Sequence, residues 1–170
     1  MHARLTATAT LALLLAAAAA CARPAVPPRT DPLTVYAALL ADTAASVPDS
    51  AALSAQLMSD TGTYEPSGLM DEVTVRMLLG LGLVREVCGD GPVRDGIREC
   101  VTHHAGTEIR LSRPLAGAGD TVMVYLGRGT VYPEGDTTSL KMYVGMTQRC
   151  HLVPREGRWR VARCDVTTVT

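Results

Sequence analysis

The sequence predicts an α+β fold: N-terminal helices packed on a curled antiparallel sheet of four to six strands, ending in a C-terminal meander. Three observations lead there. Apolar residues recur at helical spacing up to about residue 82, the period then moves towards two, and turns bearing Gly, Asp or Pro interrupt the second half at short intervals. A chain of 170 residues is long enough to build its own core. That core has no Phe and a single Trp, Trp159, so Leu, Val, Met and Ala must fill it, with Tyr at its edges.

The first helix is expected over residues 32–46. Asp31 stands as its N-cap, Pro32 suits the first helical position, and Pro48 lies beyond its end. Val35, Tyr36, Leu39, Leu40 and Ala44 share one side. Residues 50–59, SAALSAQLMS, fit either a short helix or an edge strand, and a turn-rich stretch follows. A second helix over 67–82 has Ser67 or Asp71 as its cap and an apolar side made by Val73, Met77 and Leu78, with Gly80 and Gly82 as punctuation.

Residues 83–101 read as two short strands around a Gly/Asp/Pro loop, which brings Cys88 opposite Cys100. Ile109 and Leu111 alternate with Arg110 and Ser112 in the next strand. Another strand is expected over 121–132. A long one over 139–153 returns through PREGR into WRVARCDVTTV. A three-residue turn, Glu156, Gly157 and Arg158, would put Cys150 opposite Cys164 and Val153 opposite Val161. It would also place Val153, Val161 and Trp159 in the core, with the cysteines on the other face.

The N-terminus is built like an export signal. A short, weakly positive start precedes an uncharged run from Leu5 to Ala20, too short for a membrane-spanning helix of roughly 20 residues. Ala18-Ala19-Ala20-Cys21 resembles the lipobox of bacterial lipoproteins. That resemblance implies a signal peptide over 1–20 and a lipid on Cys21. Ala18 departs from the commoner Leu, and the rival is a plain secretory signal cleaved near an A-x-A site. Residues 21–32 carry Pro24, Pro27, Pro28 and Pro32, an extended spacer holding a single α+β domain, 33–170, off a membrane. Ala22 after Cys21 is not a retention signal of the Asp type, so the resemblance implies an outer-membrane protein facing the periplasm.

Lipidation of Cys21 leaves Cys88, Cys100, Cys150 and Cys164 as an even set in an oxidising compartment. Three connectivities are open, and local pairing, Cys88 with Cys100 and Cys150 with Cys164, suits the hairpins. Zinc would need Cys100 with His103 or His104, but there is no C-x2-4-C knuckle, so no metal is expected. Neither a P-loop nor a dinucleotide fingerprint is present, so no cofactor is expected either. His103 and His104 point to opposite faces of any strand, and Ser112 lies in neither a G-x-S-x-G nor an S-x-x-K context. No catalytic residue is expected.

Charge is unevenly placed. Residues 31–108 hold 12 acids against 4 bases, whereas residues 139–170 hold 6 bases against 2 acids. Arg155, Arg158, Arg160 and Arg163 crowd the last hairpin. They either solvate its outer face and pair with the acidic helices, or meet an envelope protein or anionic surface. The slightly acidic whole and the exported address exclude nucleic acid.

The runs IRLSRPL and GDTVMVYL and the closing HLVPREGRWRV, above all Gly157-Arg158-Trp159-Arg160-Val161, resemble the C-terminal sheet of NTF2-like and cystatin-like proteins in small bacterial envelope proteins. The resemblance implies a fold that carries enzymes, binding modules and spacers alike. The cystatin Q-x-V-x-G loop is missing, because Gln148 runs into Arg-Cys-His. The functional expectation is therefore a membrane-anchored lipoprotein with a non-catalytic binding or docking domain. Its alternative is an enzyme or a small-ligand-binding NTF2-like protein with an unrecognised pocket.

Overall fold

The computed structural model describes residues 30–42, 45, 47–48, 50–63, 67–94, 97–131, 133 and 145–169. The expected signal peptide, Cys21 and most of the tether lie outside these residues, as do 139–144 of the expected long strand. None of the described helices is long and apolar enough to cross a membrane.

Helix α1, Pro32–Leu40, begins as its sequence predicts. The Asp31 carboxylate accepts the Thr34 amide at 3.0 Å, and Pro32 occupies the first turn, where no amide donor is needed. Val35, Tyr36, Leu39 and Leu40 are buried on one side. Helix α2, Glu72–Gly80, takes Asp71 as its cap. Its buried side is Thr74, Val75 and Leu78, whereas Val73 is 60% and Met77 45% exposed. The sequence carries two overlapping apolar stripes here, and packing against α1 selects the other one.

The strands are β1 Ala51–Leu53, β2 Gln56–Leu57, β3 Gly68–Leu69, β4 Glu86–Val87, β5 Gly89–Arg94, β6 Ile97–Val101, β7 Gly106–Leu111, β8 Leu115–Ala116, β9 Val122–Val131, β10 Gly145–Arg155 and β11 Arg158–Val169. Seven of them form one sheet in the order β11-β10-β9-β7-β1-β4, with β8 also paired to β9. β2 pairs with β3, and β5 with β6, as separate ribbons.

This corrects the expected sheet on two counts. It has seven strands rather than four to six, and it is mixed, because β1 runs parallel to both β4 and β7. β1 settles the open reading of residues 50–59 as strand, but in the sheet interior rather than at an edge. Its three residues are all buried, and a strand covered on both faces shows none of the alternation that betrays a half-exposed one.

The C-terminal hairpin is the second correction. Its turn has two residues, Glu156 and Gly157, so Arg155 opposes Arg158, Pro154 opposes Trp159 and Leu152 opposes Val161. Both turn residues have positive φ, 51° and 74°, as a tight hairpin requires. A bulge between His151 and Leu152 then restores the pairing of Cys150 with Cys164. A one-residue slip exchanges the faces of a strand. Accordingly Cys150 and Leu152 are fully buried with Trp159 in the core, while Val153 lies on the other side.

Candidate functional site

Alternation along β10 and β11 puts Trp159 into the core and turns Arg158 and Arg160 outward, with Arg155 across the turn. All three arginines are exposed, as is Arg163 past the bulge. Arg163 pairs with Asp165 on its own strand at 3.2 Å. Arg155, Arg158 and Arg160 form no ion pair among the described residues, and in particular none with the acidic helices.

Arg149 joins the same outer face, in register with Asp165. Its parity with Arg155 was visible in the sequence, but only the strand assignment makes parity meaningful. His151 lies between them, and its Nε2 is 3.9 Å from the Asp165 carboxylate. Burial, then Arg163 and Arg149, pull its imidazole below the usual value, and Asp165 opposes them. The neutral ring adds no charge at neutral pH, so the face owes its sign to the arginines.

A groove of about 470 Å³ runs beside this tip. Ala37, Ala38 and Ala41 of α1 and its C-terminal edge form one wall, and Gly157, Arg158, Trp159 and Arg160 form the other. The alanines leave the space: larger side chains at these positions would fill it against Trp159. Asp42 lines the same groove as Arg158 and Arg160.

The remaining sequence candidates are scattered. Ser112 is fully buried, donates to the Arg113 carbonyl and accepts the Tyr125 amide, both at 2.9 Å, so it closes a strand end rather than presenting a nucleophile. His103 and His104 are exposed and lean on Glu86, through the His103 amide at 3.0 Å and the His104 ring at 3.8 Å. The four cysteines form two separate bridges, Cys88–Cys100 and Cys150–Cys164, as a local pairing requires. Such bridges belong to an oxidising, exported environment.

One arrangement was not read from the sequence. Glu108 and Arg110, on alternate positions of β7, are both buried (3% exposed) and bonded to each other through the Arg110 Nε. Arg110 also donates to Gln56 Oε1 at 3.1 Å and to the Arg98 carbonyl at 2.7 Å. Gly129 and Gly127 oppose this pair on β9 and leave room for it, and the β5–β6 ribbon covers it. The signal in the sequence was the glycine–arginine–glycine run in β9, read only as strand.

Neither family models, nor curated proteins, nor solved structures match this chain.

Proposed function

We propose that this chain is a lipid-anchored envelope protein whose folded domain docks, without catalysis, on an anionic surface through the outer face of its last hairpin. The carrying observation is the cluster of Arg155, Arg158 and Arg160, exposed together on one strand pair and without acidic partners among the described residues. Three guanidinium groups held at fixed spacing favour phosphate or carboxylate groups of a headgroup layer or acidic glycan. In this reading Cys21 carries the lipid and the Pro-rich segment sets the standoff. The sheet curls round α1, and the protein sits at the outer membrane facing the periplasm, where its two disulfides persist.

Two experiments test it. Cys21→Ser abolishes labelling by a fatty-acid analogue and releases the protein from membranes; continued membrane association of the variant refutes the anchor. Using that released form, triple substitution of Arg155, Arg158 and Arg160 by Gln weakens binding to vesicles rich in anionic lipid. At about 1 kcal/mol per arginine near such a surface, the loss is roughly a hundred-fold. Equal binding of wild type and triple variant at low salt overturns the docking face.

A further inference from the structure

The two disulfides differ in what surrounds them. Cys150 is fully buried in the core cluster with Leu152 and Trp159, and its half-buried partner Cys164 packs against that cluster. Cys88 and Cys100 are half-buried and line an open cleft of about 380 Å³, together with Gln56, Leu69, Asp90, Arg98 and Glu99. Behind this second bridge stands Glu108, with a carboxylate oxygen within 4.8 Å of both sulfurs. Besides its bond to Arg110, this carboxyl group lies within reach of a sulfur leaving the bridge.

We propose that Cys88–Cys100 is a reversible thiol–disulfide exchange site, with Glu108 as the group that supplies and recovers the proton. A dithiol reductant enters the cleft and its thiolate attacks one of the two sulfurs. The Cys88–Cys100 bond breaks, a mixed disulfide forms, and the other sulfur leaves as a thiolate that takes the proton from the Glu108 carboxyl. The reductant's second thiol, as thiolate, then attacks the reductant's own sulfur in the mixed disulfide; that S–S bond breaks and the remaining protein sulfur leaves as a thiolate that takes a proton from water. The products are two thiols here and one disulfide in the reductant, two electrons having moved, and Glu108 regains its proton from water. Once the covalent bond is broken the sulfurs separate to nonbonded contact, which frees one of them to approach the carboxyl group.

The surroundings suit that role. Burial raises the Glu108 carboxyl above its ordinary value, and Arg110 works against this by charge and hydrogen bond. The other charges around it are Arg98 and Glu99 on β6, Asp90 on β5, which pairs with Arg98 at 3.5 Å, and Glu86 on β4, in register through Ala52. β9 presents only Gly129 at the opposing position. A carboxyl group that burial makes hold its proton more tightly than usual, at the rear of a bridge, is placed to hand that proton to a leaving sulfur.

The test uses the full chain without denaturant. It is incubated with dithiothreitol, quenched in acid, labelled at free thiols and mapped by peptide mass. The expected result is labelling of Cys88 and Cys100 while Cys150–Cys164 stays intact. Simultaneous opening of both bridges overturns the proposal. The rate, divided by the thiolate fraction of the reductant, is then followed with pH. It falls as Glu108 loses its proton; a flat corrected rate overturns the role of Glu108 in the wild-type protein itself. Glu108→Gln slows exchange by about a hundred-fold and flattens the profile, whereas Glu108→Asp retains the fall. A Gln variant with unchanged rate and profile likewise refutes it.

Discussion

Tyr36 shows how one residue ties the two halves of the molecule together. Its ring is buried on α1, and its hydroxyl donates to the Ser112 carbonyl at the end of β7, at 2.9 Å. That carbonyl is shielded from water, so leaving it without a donor is costly. Tyr36→Phe is expected to destabilise the fold by about 1 kcal/mol in denaturant titrations, with the slope unchanged. Burial also pushes the Tyr36 hydroxyl far above the ordinary tyrosine value, with Arg113 opposing and Asp71 assisting. In a spectrophotometric titration, one tyrosine should therefore stay protonated until the fold itself opens. The burial of Val35, Tyr36 and Leu39 was legible from helical spacing. The partner of the Tyr36 hydroxyl, 76 positions away, was not, because no local pattern encodes a contact of that range.

Among the elements, the β10–β11 hairpin is the most instructive. A glycine at the second turn position accepts φ 74° without strain, but Glu156 sits at φ 51°, a region costly for a residue with a Cβ. Asn visits that region readily. Glu156→Asn is thus expected to raise stability by about 1 kcal/mol, read as a higher denaturant midpoint, and to leave the disulfide pattern unaltered. Both the three-residue turn and the observed two-residue turn with a bulge bring Cys150 opposite Cys164. Cysteine spacing alone therefore cannot tell them apart. They differ in which side chains enter the core, and burial of Leu152 and Cys150 decides it. The bulge is a tertiary compromise: it lets the turn keep its tight geometry and the core keep Trp159, Leu152 and the disulfide on one side.

At the scale of the whole molecule, two groups, the buried Glu108 and the half-buried His151, set opposing slopes of stability with pH. Glu108 has a raised folded value, so between the unfolded carboxyl value and its own the native state binds more protons. Stability falls there as pH rises. His151 has a lowered folded value, so below the unfolded imidazole value of 6.5 the unfolded state binds more protons. Its contribution is complete above that value and is lost as pH falls through it. His151→Gln should narrow the gap in denaturant midpoint between pH 7.5 and pH 5, and an unchanged gap would contradict the assignment. Glu108 is the deeper of the two, and its slope is the one that Glu108→Gln should remove.

The sequence by itself determined the local features. The cap at Asp31, the hairpin positions, the pairing of neighbouring cysteines and the outward arginines all depend on residues within a few positions of each other, or on strand parity. Only the tertiary structure decided the rest. β1 entered the sheet interior in parallel because two strands from distant segments, β4 and β7, flank it and exclude water from all three of its residues. α2 turned Val75 rather than Val73 inward because α1 lay on that side. Glu108 and Arg110 became buried because glycines on β9 made space and the β5–β6 ribbon closed over them. Each of these outcomes is fixed by what packs on a second face, and chain order carries no local signal of that.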